Sequence, residues 1–364
     1  MSEKLVVLYG NDQGANNVLD LVEKSAKEQG FQTLRIPGFK AVISDEHIAV
    51  ALRADAVVLG VSGDVPEAKF AHYLLAKEPD MDGRMVFIED FPTSNGNQDP
   101  VLRSIGRVSH LCSILPPAEN SRELSVYRRV HVVGYPDHWL PAIENIAFGI
   151  EARKSGVVRK RRRGYTGSRF VSPGEVVVYV SGFVGFSPEY MRRILEIKEI
   201  IGRPVLVHYR AHPSEQNRPE LAELIKKRDA LFEGRWEIAN KEIADAGRDS
   251  DTRLIGVSDI VIANPGHVST FYAGSLRKKM ICVMEFVESK AGGTSSYDYR
   301  FSGLRTHMVE RVSDIREAMQ ALMTEGSPEQ TALEEKQKLN TIPFDPKNPP
   351  SYGKNVMEVV KNLI

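Results

Sequence analysis

The chain has 364 residues, with 48 acidic and 48 basic side chains and a formal net charge of zero. A balanced charge gives no overall attraction to nucleic acid or to a membrane surface, so neither partner is expected. The length exceeds the usual ~100–200 residues of one domain and favours two. The sequence begins with a strand pattern instead of a signal sequence, and no apolar run approaches the roughly 20 residues of a membrane-spanning helix. A cytoplasmic protein without a membrane span is therefore predicted.

Short apolar strands alternate with helices through the first half of the chain. The predicted strands are 4–9, 33–36, 56–61, 84–89, 107–114 and 130–133, and the predicted helices are 16–30, one beginning near residue 44, 67–77 and 141–154. This alternation is typical of a parallel sheet with helices on both faces. We expect a first Rossmann-like domain over residues 1–155.

Residues 156–174 have no apolar periodicity and concentrate charge, glycine and proline, including the run RKRRRGYTG from Arg159. This composition favours an interdomain linker. A basic lip for a phosphorylated or acidic partner is the alternative that the five basic residues at 159–163 leave open.

A second α/β pattern covers residues 175–340. The predicted strands are 175–180, 205–209, 236–238, 259–263 and 308–312, and the predicted helices are one that begins at Pro188 after a Ser187 cap, 218–227 and 313–323. Residues 341–364 form a proline-rich crossing segment followed by a helix over 354–363. The fold class that follows is α/β, with two facing Rossmann-like parallel-sheet domains and an interdomain cleft.

Candidate metal and disulfide residues are interpreted as structural. Cys112 and Cys282 lie in apolar runs and have no partner at the spacing of metal ligands, which favours small core residues. The stretch Asp249-Ser250-Asp251 matches an Asp-x-Asp metal pattern but lies before a predicted helix, where it is expected to serve as a cap. Neither a metal nor a cofactor is expected.

Ligands of parallel sheets bind outside the carboxyl ends of the strands. In the second half this rule selects the loop containing Gly182, the segment from Arg210 to Glu215, the turn 264–270 and the residues Glu285 to Glu288. In the first half it selects 10–14, 62–63 and the pair Glu89-Asp90.

The turn 264–270 has the best chemistry for an anion. It follows a buried strand, breaks at Asn264-Pro265-Gly266, and brings His267, Ser269 and Thr270 to the start of a helix. Free backbone N–H groups, two hydroxyls and an imidazole suit a diphosphate. A capped helix with a structural histidine is the other interpretation.

Two stretches, VHYRAHPSE and SDIVIANPGHVSTFYAGSLRKKMICVMEF, resemble the carboxy-terminal domain of GT-B glycosyltransferases and of the related UDP-N-acetylglucosamine 2-epimerases. VHVVGYP at 130–136 is similar to the strand-Gly-x-Pro passage that closes the amino-terminal GT-B domain. The resemblance implies a metal-independent transfer of a sugar from a nucleotide-activated donor to an unknown acceptor.

The resemblance also implies roles for individual residues. His212 would contact the donor phosphate or sugar, and His267, Ser269 and Thr270 would hold the diphosphate. Arg210 and helix dipoles would meet the charge of the leaving group, with Gly182 in the same donor site. A general base is needed if the transfer inverts the sugar, and Glu89 or Asp90, at the end of a first-half strand, are the best placed carboxylates. The other interpretation is that one of them caps the following loop, which is favoured for Asp90. Where these families place an acid for the ribose, this chain has Phe271-Tyr272-Ala273-Gly274. Either Glu285 or Glu288 substitutes from the next loop, or the donor is not a conventional ribonucleotide.

Two other functions stay open at this point. A sugar-nucleotide epimerase or hydrolase would need no acceptor, although the epimerases have His-Arg-Glu-Asn where this chain has His212-Pro213-Ser214-Glu215. A non-catalytic relative that serves as a binding or scaffold protein would explain the missing ribose acid. The expected partners are a nucleotide-sugar donor and an acceptor, which would be anionic if the 159–163 run contacts it, and a homodimer is left open.

Overall fold

Two compact units make up the part of the chain that the structure describes. Contacts assign the described residues up to Leu140 and from Asp345 to Ile364 to unit 1, and those from Pro141 to Phe344 to unit 2. The computed structural model describes residues 4–38, 43–61, 66–89, 108–114, 127–154, 174–181, 188–210, 219, 222–231, 248–263, 273–285, 305–342, 344–345, 349 and 351–364.

Unit 1 contains a six-stranded sheet in the order β2-β1-β3-β4-β5-β6, and every neighbouring pair is parallel. Its central strands are continuous buried apolar runs, as expected for strands covered on both faces. The strands are β1 Leu5–Tyr9, β2 Gln32–Ile36, β3 Ala56–Val61, β4 Met85–Glu89, β5 Val108–Ser113 and β6 Tyr127–Val132, and the helices are α1 Gln13–Glu28, α2 Asp45–Arg53 and α3 Pro66–Lys77.

Unit 2 contains a second six-stranded sheet in the order β12-β11-β10-β7-β9-β8. All of its pairs are parallel except β8 with β9 at the edge. The strands are β7 Val176–Ser181, β8 Glu199–Ile200, β9 Arg203–Arg210, β10 Ile260–Ala263, β11 Lys279–Val283 and β12 His307–Val309, and the helices are α4 Leu140–Lys154, α5 Pro188–Glu196, α6 Ala222–Ala230, α7 Arg248–Val257, α8 Ile315–Met323 and α9 Pro328–Asn340. The predicted pair of α/β parallel-sheet domains is confirmed.

The last helix, α10 Tyr352–Lys361, belongs to unit 1 and packs on α1. Gly353 makes the close approach, since a Cβ there would lie 2.3 Å from the Leu21 carbonyl oxygen. At the start of α10, the Tyr352 hydroxyl donates a hydrogen bond of 2.5 Å to the Glu89 carbonyl oxygen. The end of the chain thereby fixes the carboxyl edge of the first sheet.

Helix α4 packs in unit 2, where its Gly149 lies against Gly256 of α7. A Cβ on Gly149 would lie 2.6 Å from the Arg253 carbonyl oxygen and 2.9 Å from the Gly256 Cα. The contacts therefore divide the chain one helix earlier than the composition of the linker indicates, at 140 and 141 instead of 155.

Both cysteines are free and buried, Cys112 in β5 and Cys282 in β11, as predicted for core residues. Burial raises the pKa of both thiols and keeps them protonated. Within the described ranges, no helix combines the length and apolarity that crossing a bilayer requires.

Candidate functional site

The three strands that precede the predicted donor residues, β10, β7 and β9, are neighbours in the second sheet. Ser181 at the end of β7 pairs in register with Arg210 at the end of β9, and Val180 pairs with Ile262 of β10. The chain adds β9 on one side of β7 and then β10, β11 and β12 on the other, so the strand order switches between β7 and β10, and such switch points are where open parallel sheets bind ligands.

Three candidate segments begin at these neighbouring strand ends. They are residues 182–187 after β7, 211–218 after β9 and 264–272 after β10, and all three lie outside the described residues. Gly182, His212, His267, Ser269 and Thr270 fall within them, so the contacts of these side chains stay predictions. The sheet nonetheless starts the His212 segment and the His267 segment on either side of β7.

Glu285, which follows β11, has a structural contact that the sequence did not indicate. Its Oε2 accepts a hydrogen bond of 2.8 Å from the backbone N–H of Val312, at the start of the 3-10 turn Val312–Asp314. The carboxylate caps that turn and is exposed at the same time. Its contact with a ribose stays a prediction, and Glu288 lies outside the described residues.

His208 is a polar residue of this region that the sequence did not single out. It lies in β9, only 2% exposed, and neither ring nitrogen has a hydrogen-bond partner among the described residues. Burial lowers the pKa of His208 to about 4, so the imidazole is neutral at physiological pH. Leaving such a group unpaired in the interior costs about 1–3 kcal/mol.

Glu89 ends β4 at the carboxyl edge of the first sheet, as predicted, and is 3% exposed. Its Oε2 accepts hydrogen bonds from the Ser113 hydroxyl at 2.7 Å and from the Ile114 backbone N–H at 3.2 Å. The side chain therefore ties the end of β4 to the end of β5.

Glu67 occupies the switch point of the first sheet, between β1 and β3. Its side chain is fully buried, and its Oε1 accepts a hydrogen bond of 2.6 Å from the backbone N–H of Asn11, directly after β1. Burial, together with the charge of Glu67, raises the pKa of Tyr9 to about 12. Asp12 caps α1 by accepting from the Ala15 backbone N–H at 2.8 Å.

The carboxylates of Glu67 and Asp12 affect which ligands can bind at the switch point between β1 and β3. Glu67 and Asp12 take backbone donors that an anion at the start of α1 would otherwise use, and both add negative charge. A phosphate group is therefore disfavoured at the start of α1. The sequence concealed this feature because Glu67 and Asn11 are far apart along the chain.

A histidine pair joins β5 and β6, the last two strands of the first sheet. His110 Nδ1 and His131 Nε2 are 2.9 Å apart on β5 and β6, so one ring donates to the other. Burial lowers the pKa of both rings. No group of three or more His, Cys, Asp or Glu side chains that could hold a metal occurs among the residues described. The Asp249-Ser250-Asp251 stretch forms part of the first turn of α7 instead of preceding the helix.

No protein-family model and no curated protein matches the chain. Among solved structures, it is similar to Acinetobacter baumannii MurG, with a TM-score of 0.49, 11% identity, and coverage of 99% of each chain. A glycosyltransferase from Rickettsia africae ESF-5 gives a TM-score of 0.48 and 9% identity, over 100% of this chain and 99% of that one. S. aureus MnaA with UDP gives a TM-score of 0.46 and 13% identity, over 100% of this chain and 98% of that one. Each of these similarities extends over nearly the whole chain at low identity.

Proposed function

We propose that this protein is a GT-B-type glycosyltransferase that moves a sugar from a nucleotide-activated donor to an acceptor without a metal ion. The observation that carries the proposal is the adjacency of β9, β7 and β10. The His212 motif and the His267-Ser269-Thr270 motif are distant in sequence, and the parallel sheet starts their segments beside one strand. Convergence of anion-binding chemistry at a switch point is the arrangement that nucleotide diphosphates require.

Unit 2 is proposed to hold the donor. Ser269, Thr270 and His267 would donate to the diphosphate, and His212 and Arg210 would meet the negative charge that develops on the leaving group. Gly182 would let the backbone after β7 approach the ligand closely. These hydrogen-bond donors would stabilise the charge of the diphosphate in place of the metal ion that other transferases use.

Unit 1 is proposed to hold the acceptor. The carboxylates of Glu67 and Asp12 disfavour a diphosphate at its switch point, which leaves this edge for an uncharged hydroxyl acceptor. Glu89 is proposed as the base that takes the acceptor proton, from its position at the end of β4.

Product analysis tests the function directly. The protein is incubated with a panel of nucleotide sugars, with and without a mixture of hydroxyl acceptors, and the products are identified by mass spectrometry. Transfer predicts nucleoside diphosphate release that depends on acceptor and falls about 10- to 100-fold in His212→Ala, which loses a charge-assisted hydrogen bond. His72→Ala, which changes an exposed histidine of α3, is the matched control.

The same assay separates the two alternatives. Conversion of the donor without any acceptor would identify an epimerase or hydrolase instead. Absence of both conversion and nucleotide binding would contradict an enzymatic function and support a binding or scaffold role.

A further inference from the structure

The buried imidazole of His208 lies on the same face of the second sheet as the helical residues that follow the predicted diphosphate turn. His208 pairs in register with Tyr179, which in turn pairs with Val261, and register partners in neighbouring parallel strands point to the same face. Tyr179 and Val261 share a buried cluster with Ala273, the first described residue after the 264–272 segment. The ring therefore lies on the face of the sheet that this cluster covers, and Ala273 of the cluster directly follows the candidate donor segment along the chain.

His208 is also close to the edge of the sheet. It lies two residues before the end of β9 at Arg210, roughly 7 Å along a strand, which a side chain and one bound water can span. Interior polar groups that lack a protein partner are rare and are commonly satisfied by bound water or by a ligand. Neither ring nitrogen of His208 has a partner among the residues described here.

The chemistry of the ring selects the kind of ligand group. A neutral imidazole offers one N–H donor and one acceptor nitrogen. A phosphate oxygen at pH 7 offers acceptors and favours a charged imidazolium, which burial opposes at this position. Sugar hydroxyls and the amide edge of a nucleobase both donate and accept, so they match a neutral ring.

We propose that His208 is a binding residue for the nucleoside part of the donor, which it contacts directly or through one bound water. This inference rests on the proposed function, because it assigns a nucleotide to unit 2. It extends that function by separating recognition of the nucleoside from recognition of the diphosphate, which is assigned to the segments around His212 and Ser269.

Calorimetric titration with UDP, CDP, ADP, GDP and inorganic pyrophosphate tests the assignment. For the nucleoside diphosphate that the wild-type protein binds best, His208→Phe should raise Kd about tenfold, the effect of one lost hydrogen bond. The Kd of pyrophosphate should stay within about twofold of the wild-type value, because only the nucleoside contact is lost. His208→Gln, which keeps a donor and an acceptor, should restore most of the affinity.

A second measurement needs no folded Phe variant. In wild-type protein with 15N-labelled histidine, the neutral ring that does not titrate above pH 5 should shift on addition of the nucleoside diphosphate and stay unchanged with pyrophosphate. An unchanged resonance, or an equal loss of nucleotide and pyrophosphate affinity in His208→Phe, would overturn the inference.

The outcomes distinguish this inference from the function on which it rests. If the wild-type protein binds none of the four nucleotides, both fail. If it binds one, and His212→Ala weakens that binding while His208→Phe leaves the ratio of nucleotide to pyrophosphate affinity unchanged, only the assignment of His208 fails.

Discussion

Glu67, Glu89 and His208 are buried polar residues near strand ends, and they differ in how their polar atoms are satisfied. Both carboxylates accept hydrogen bonds from neighbouring chain segments, whereas His208 has no partner among the described residues. A paired buried group contributes to structure, and an unpaired one costs free energy unless something else supplies the partner. The contrast separates residues that stabilise the site from one that is available to a ligand.

Replacing Glu89 by Gln separates its proposed role as a base from its structural role in joining the ends of β4 and β5. The amide cannot accept the acceptor proton, so we expect kcat to fall at least about 100-fold. Ser113→Ala removes one hydrogen-bond donor to Glu89 and keeps the carboxylate, so kcat should stay within a few fold of the wild-type value. Equal kcat values in wild type and Glu89→Gln would remove Glu89 from the mechanism.

His208 also predicts how stability depends on pH. In the unfolded chain its pKa is near 6.5, and in the folded protein it is lowered to about 4, so acid favours the unfolded state. The contribution of His208 to the free energy of unfolding is fully present above pH 6.5 and is lost as the pH falls through about 4. The difference of about 2.5 between the two pKa values limits this contribution to about 3 kcal/mol. Urea unfolding between pH 7 and pH 4 should show a smaller loss in His208→Phe, and an equal loss would contradict the prediction.

At the scale of single residues, position was predictable and partners were not. The sequence placed Glu89 at a strand end because an apolar run stops there, but its partner Ser113 comes from the next strand of the sheet. His208 was missed because one polar residue within an apolar strand gives no periodic signal. Its burial depends on helices that cover the sheet from elsewhere in the chain.

At the scale of elements, most strands follow from their apolar runs, and β3 has the predicted bounds of 56–61. Helix α9 was not predicted, because only Leu333 and Gln337 are buried along its 13 residues and no apolar stripe marks it. Strand β8 has two residues and carries too little pattern to detect. Elements that bury a wide apolar face can be predicted from sequence, whereas elements with few buried residues cannot.

The packing of α10 on α1 gives a test at the same scale. Gly353→Ala would bring a methyl group within 2.3 Å of the Leu21 carbonyl oxygen, so the helices must move apart. We expect a loss of about 1–3 kcal/mol in the free energy of unfolding, despite the better helix propensity of alanine. Gly83→Ala is the control, because a Cβ there meets nothing within 4 Å. Equal stability of the two variants in urea unfolding would contradict the packing.

At the scale of the whole molecule, the sequence predicted two parallel-sheet domains and an anion site on the second, but not the contacts that join distant parts of the chain within each domain. Helix α4 follows the first sheet in sequence and yet packs on α7 through Gly149 and Gly256, a partner that its own periodicity cannot reveal. Glu67 likewise accepts a hydrogen bond from the backbone N–H of Asn11 at the switch point of the first sheet, although the two residues are far apart along the chain. The contact of Glu67 with Asn11 supports the proposed placement of the nucleotide in unit 2, because it disfavours an anion at the start of α1.

Hydrogen–deuterium exchange with the best-binding nucleoside diphosphate tests that assignment most directly. Residues 181–187, 210–216 and 263–272 follow three adjacent strands of the second sheet, so they should all become protected, and 9–14 after β1 should keep its exchange rate. The same protection should be lost in His212→Ala. Protection at 9–14, or no protection at the three segments of unit 2 while the nucleotide is bound, would contradict the account.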